Sequence, residues 1–186
     1  MDEATLISRA AAGETAAWEP LVLAHQEAVF RLAYLLLGDP DEAEDVAQET
    51  FLRGWNQLDR FDRSRPLRPW LLRIAANLAS NRRRFAGRYL TALMRSAQAE
   101  PGTPGVEERS AERLEAEQLW QAVRRLDASD QQIIYLRYFL DLSVAETAET
   151  LETAEGTVKS RLHRALERLR NVIQRDFPML GGERAI

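Results

Sequence analysis

Apolar positions recur every three to four residues along almost the whole chain, the period of a helix buried on one face. No run of β-branched residues alternates with the two-residue period of a strand. In the first half, "WEPLVLAHQEAVFRLAYLLLG" carries Leu21, Ala28, Leu32 and Leu35 at helical spacing and stops at Gly38. "DPDE" at 39–42 then starts a new helix. Asp39 is its N-cap, Pro40 takes the first helical position, and Glu42 stands where a capping box would close. That helix is expected to reach about Leu58. Another is expected from about Pro69 to Phe85, with Pro66 and Pro69 marking its approach because each biases its predecessor away from helix.

The pattern breaks at 96–112, "SAQAEPGTPGVEERSAE", where Pro101, Gly102, Pro104 and Gly105 fall close together. Such a stretch reads as a flexible linker. It divides residues 1–95 from a second helical domain at 113–175, followed by a tail at 176–186. Four helices are expected after the linker. Ser129 with Gln132, and Ser143 with Glu146, have the spacing of capping boxes. The last two helices meet near Glu152 and Thr153. A short helix, a tight turn and a longer basic helix outline a helix-turn-helix. The predicted fold is therefore all-α, with two small helical domains joined by a linker and the helix-turn-helix in the second.

A hydrophobic content of 45% suits a globular chain and is too high for a disordered one. The most apolar run, "LAYLLLG" at 32–38, is much shorter than a membrane span, and the acidic start "MDEATLISRA" is unlike a signal peptide. These features predict a cytoplasmic protein without membrane insertion. The chain has no cysteine and only two histidines, His25 and His163. Disulfides, iron–sulfur clusters and thiolate zinc sites are thereby excluded, and neither a GxSxG elbow nor a glycine-rich phosphate loop is present. No metal, no cofactor and no enzymatic activity are expected.

Charge changes the picture more. The formal net charge is -4, yet its distribution is uneven. Residues 39–49 hold six acids and no base, whereas 63–95 hold nine arginines and no acid. The alternation repeats in the second half: 141–152 hold four acids and no base, and 155–170 hold five bases against Glu155 and Glu167. Two local basic footprints lie hidden in an acidic total, and local charge is what a polyanion meets.

Both footprints resolve into helix faces. In the last helix Val158, Leu162, Ala165, Leu169 and Ile173 share one face, the predicted core face. Gly156, Ser160, His163 and Arg164 lie opposite, with Lys159 and Arg161 on the shoulders. A recognition helix presents its N-terminal residues to base edges; small or polar groups there, such as Gly156, Thr157 and Ser160, permit close approach, and the flanking cations are candidate phosphate contacts. In the helix near 69–85, Trp70, Arg73, Asn77, Asn81 and Arg84 form a second stripe, continued by Arg88. Asn can hydrogen-bond base edges, Arg can hold phosphate, and an aromatic ring can stack on an exposed base. Trp70 equally suits a core.

Taken together, these stretches resemble the extracytoplasmic-function (ECF) sigma factors of bacterial RNA polymerase. "HQEAVFRLAYLLLGDPDEAEDVAQETFLRGW" (25–55) and "RPWLLRIAANLASNRRR" (68–84) are similar to sigma region 2, and "LRYFLDLSVAETAETLETAEGTVKSRLHRALERLR" (136–170) to region 4. The resemblance implies that region 2 occupies 1–95 and region 4 occupies 113–175. It implies docking on core RNA polymerase through Asp45, Gln48 and Glu49, and reading of the promoter −10 element by Arg65, Arg68, Trp70, Arg73, Asn77, Asn81 and Arg84. It also implies reading of the −35 element by Glu155, Gly156, Thr157, Lys159, Ser160, Arg161, His163 and Arg164. The implied partners are core polymerase, promoter DNA and an anti-sigma factor.

The sequence departs from the family pattern at Glu152, where members often carry Gly in the helix-turn-helix turn. A non-Gly residue in left-handed conformation there costs on the order of 1 kcal/mol. Pro66, Leu67 and Pro69 also replace the more usual residues ahead of Trp70. A LuxR-like helix-turn-helix regulator would explain 113–175 but would leave the acidic helix and the Asn–Arg stripe without a role. A helical adaptor would predict no promoter preference. A nuclease is disfavoured, since the acids at 39–49 sit apart from any basic phosphate clamp.

Overall fold

The protein, a computed structural model, is described for residues 1–94 and 111–181, with side chains for 1–84 and 114–180. The linker expected at 96–112 lies outside the described residues up to 110, as do Arg95 and the tail beyond 181; the side chain of Arg88 does too. The helices are α1 (Glu3–Ala11), α2 (Thr15–Leu37), α3 (Pro40–Gln57), α4 (Leu67–Met94), α5 (Ala111–Arg124), α6 (Ala128–Ile134), α7 (Val144–Thr150) and α8 (Glu155–Asp176). A 3-10 turn follows α3, and α6 runs on into a π-helical turn over Tyr135–Phe139. Among the described residues there is no strand.

The local signals act as their chemistry dictates. Gly38 ends α2 with φ of 79°, a left-handed cap at which its N–H reaches the Tyr34 carbonyl. Asp39 then caps α3, its carboxylate accepting the Glu42 N–H at 2.9 Å. Ser143 and Glu146 form the reciprocal capping box at α7. Two details differ from expectation. The α6 cap is Asp127, whose carboxylate accepts from the Ser129 and Asp130 amides. Ser129 donates its own hydroxyl to that same carboxylate, because an ionised oxygen is the stronger acceptor. Helix α4 begins two residues before Pro69. A proline this near the N-terminus loses only an N–H that would have no partner within the helix anyway.

Helices α1 to α4 form the first bundle around α2, which packs on α1, α3 and α4. Leu21, Val29, Leu32 and Ala33 from α2 are buried with Val46 and Phe51 of α3 and Leu71, Leu72, Ala75 and Ala79 of α4. Gly54 lets α3 approach closely, since a Cβ there would meet Leu71 Cδ2 at 3.1 Å and the Trp18 ring at 3.3 Å. By length and composition α2 is apolar enough to cross a membrane, which corrects the sequence-level expectation that no segment is. Leu21, Val29, Leu32, Ala33 and Leu36 are buried in the bundle, whereas Leu23, Phe30 and Tyr34 are exposed.

In the second bundle α6 and α7 pack on α8, and Trp120, Tyr135 and Phe139 cluster with ring centroids 5.5 to 6.1 Å apart. The helix-turn-helix core is Thr147, Ala148, Val158, Ala165 and Leu169, all buried. Arg168 binds the buried Asp130 carboxylate at 2.5 Å, tying α8 to the start of α6. Arg125 and Arg175 both reach Asp176, whose carboxyl is held down to about 2, chiefly by Arg175.

His25 is buried in α2 with no hydrogen-bond partner on Nε2, 3.7 Å from the Glu3 carboxylate. Burial pushes its pKa below the ordinary 6.5; Glu3 opposes this shift and Arg68 adds to it. The folded state thus takes up the proton less readily than the unfolded chain. Stability should be full above about pH 6.5 and fall as pH drops toward the lowered folded-state value. Thermal melts between about pH 7.5 and about pH 5.5 check this. His25→Leu should flatten the dependence in that window, above the range where carboxylates titrate; an unchanged slope would assign it to other groups.

Candidate nucleic-acid interface

The recognition-helix face is laid out as its periodicity predicts. Val158, Ala165 and Leu169 point into the core, with Leu162 and Ile173 half-buried beside them. Glu155, Gly156, Thr157, Lys159, Ser160, His163 and Arg164 are exposed, and Arg161 is half-buried. No atom lies within 4 Å of where a Gly156 Cβ would stand, so the start of α8 is open to a close approach. Among the described residues no acid pairs with Lys159, Arg161 or Arg164; His163 lies 3.5 Å from Glu167 one turn on. This is a cationic, solvent-facing helix end above a small buried core, the shape required to enter a major groove.

The α4 stripe is more divided. Asn77, Asn81 and Arg84 are exposed on consecutive turns, and Arg84 Nη2 donates to Asn81 Oδ1 at 2.6 Å. With Oδ1 accepting, the NH2 group of Asn81, a double donor, is the end that Arg84 does not engage. Trp70 is instead a core residue, 9% exposed and tilted against Phe61 at a centroid distance of 4.8 Å. Its ring supports the start of α4 rather than offering a stacking face. Arg65 is exposed, while Arg68 and Arg73 are half-buried because both reach across to the second bundle. Arg68 Nη2 donates to the Leu140 carbonyl at 2.8 Å, and Arg73 Nη1 to Glu152 Oε1 at 2.6 Å.

The acidic helix α3 presents Asp45 and Gln48 to solvent, with Glu49 half-buried. Asp45 pairs with Arg82 at 3.2 Å, Glu49 with Arg53 at 2.7 Å, and Gln48 donates to Glu44 at 3.3 Å. Beside this row lies a groove of about 900 Å³ between α2 and α3, floored by Trp18, Phe51 and Trp55 and walled by Val22, Phe30 and Leu52. Glu44 and Gln48 stand on its rim. Leu52 is 60% and Phe30 38% exposed. Sequence reasoning did not single out this groove. Its signal was present as apolar residues out of phase with the core stripe of each helix, such as Phe30 beside the buried Val29.

Comparison with known proteins matches both halves of the chain. The Sigma-70 region 2 family matches residues 21–89, and the Sigma-70 region 4 family matches residues 116–169. SigL, an ECF RNA polymerase sigma factor of Mycobacterium tuberculosis, is 37% identical over 171 residues, which cover 90% of this chain and 95% of SigL. The structure of CnrH in complex with the cytosolic domain of CnrY is similar with a TM-score of 0.71 at 28% identity, covering 94% of this chain and 98% of that one. RpoE of Bartonella quintana, solved with the anti-sigma factor NepR, gives a TM-score of 0.65 at 25% identity, covering 85% and 97%. Matched over nearly the full length of such relatives, with both sigma regions in order, the chain belongs to the ECF sigma factors of RNA polymerase.

Proposed function

We propose that this ECF sigma factor divides its work between three surfaces. The outer face of α3, with Asp45, Gln48 and Glu49 beside the apolar groove, docks on core RNA polymerase. Helix α4 takes the −10 element. Asn77 and Asn81 hydrogen-bond base edges while Arg65, Arg68, Arg73 and Arg84 hold the backbone, and Trp70 sets the start of the helix from below. Helix α8 takes the −35 element in the major groove through Glu155, Gly156, Thr157, Lys159, Ser160, Arg161, His163 and Arg164. Region 2 accordingly spans 1–95 and region 4 spans 113–175. The protein performs no bond-making of its own and acts in the cytoplasm. An anti-sigma factor is a further partner, as NepR is for RpoE.

The observation that carries this reading is the exposed Asn77–Asn81–Arg84 row on α4, in the same chain as the open cationic end of α8. A LuxR-like regulator needs only the latter. The test is run-off transcription with purified core polymerase on a promoter library. Discrete promoter-specific transcripts are expected on adding this protein. None forming, with the core shown active by another sigma factor, would refute the reading.

A further inference from the structure

The two bundles are not independent here, and the contacts between them use residues assigned above to DNA. Helix α7 packs on α4, and α2 touches α6 and its π-turn. Helix α7 is bracketed by the two positive-φ non-glycine residues of the described chain, Asp141 with φ of 52° and Glu152 with φ of 50°. Each bracket is gripped by an arginine from the start of α4. Arg68 takes the Leu140 carbonyl just before Asp141, and Arg73 takes the Glu152 carboxylate. Arg65 stands 3.9 Å from Glu149 on α7 itself, and Arg83 donates to the buried Gln131 at 3.2 Å.

We propose that this clasp is autoinhibitory: Arg68 and Arg73 serve either the turns around α7 or the DNA backbone, and not both at once. The proposal rests on the assignment of α4 to the −10 element. In the clasped state α7 packs on α4 and Arg68 and Arg73 are half-buried, whereas Asn77, Asn81, Lys159 and Arg164 stay exposed. The free protein is therefore competent at its −35 face and half-masked at its −10 face. Glu152 supplies the acid of the clasp. A glycine would hold the same backbone angle without strain, yet it could offer Arg73 no carboxylate. The positive-φ acid stands where it meets the arginine. The pair is partly exposed, so it is a weak, salt-sensitive latch that a polyanion or a polymerase surface can displace.

The chain has no native cysteine, so dyes can be placed on the full-length protein at Asp41→Cys in α3 and Glu167→Cys in α8. Energy transfer should show a compact population at low salt that declines as salt rises. Glu152→Gln should lower the compact-to-open ratio about two- to fivefold, the scale of one exposed ion pair, and Glu152→Arg should lower it further. Affinity for a fluorescent single-stranded DNA pool of random sequence should rise by a similar factor in Glu152→Gln, with an unchanged melting temperature. A ratio insensitive to both substitutions would overturn the clasp. A shifted ratio with unchanged DNA affinity would overturn its inhibitory role. Failure of the −10 assignment would show separately, as normal promoter opening by the Asn77→Ala, Asn81→Ala protein.

Discussion

Asn77→Ala combined with Asn81→Ala is expected to cut open-complex formation by at least about tenfold while core polymerase binding persists. A base-edge contact by an asparagine amide is worth about 1–3 kcal/mol, and about 1.4 kcal/mol is a factor of ten. Neither amide supports the fold: both are exposed on α4, away from the buried Leu71, Leu72, Ala75 and Ala79. Core docking is assigned to a different helix, so the two activities should separate. Permanganate reactivity of promoter thymines in reconstituted complexes reads the melting, and co-elution with core reads the docking. Normal melting by the double variant would remove the stripe from promoter opening. Loss of core binding as well would mean that α4, rather than α3 alone, contacts the polymerase.

The second large effect is expected at the other end of the molecule. Lys159→Ala with Arg164→Ala should weaken binding to −35 duplex DNA and make its salt dependence shallower. Each phosphate contact releases counterions and contributes about 0.9 to the slope of log affinity against log salt, so the pair should reduce that slope by about 2. Both side chains are exposed on α8, and among the described residues neither has an acidic partner to be orphaned by the change. Stability should therefore hold, because an exposed cation without an ion pair contributes little to it. Binding titrations of the full-length protein at several salt concentrations measure the slope. An unaltered slope would show these cations to be ordinary solvated charges.

Arg168 marks how position decides the role of a cation. It shares the basic run with Lys159 and Arg164, yet it is committed to Asp130, a buried carboxylate at the start of α6. Removing the arginine would leave that acid buried without its charge partner, so it belongs to the architecture of the second bundle. Charge density along the sequence marks the footprint without telling its phosphate contacts from its struts.

Much of the architecture was legible because it depends on short-range physics. The Gly38 stop, the Asp39 and Ser143 caps, and the core face of α8 through Val158, Ala165 and Leu169 all follow from backbone hydrogen-bonding needs and helical period. Glu152, standing where the resemblance has Gly in the turn, adopts the left-handed conformation with φ of 50°. The cap of α6 was misread by two residues because Asp127, Ser129 and Asp130 all offer oxygens, and only the assembled turn shows which one the amides choose.

What sequence alone determined, then, is the set of helices, their apolar faces and the two basic surfaces, because each follows from residues within a few turns of one another. Tertiary structure decided the rest. It buried Trp70 against Phe61, opened a groove between α2 and α3, and joined Arg68 and Arg73 to turns about 70 to 80 residues away. An arginine carries the same charge whether it faces a phosphate, a carbonyl or a carboxylate. Which of these it meets depends on how separate helices pack, and that is set by the shape of the whole core.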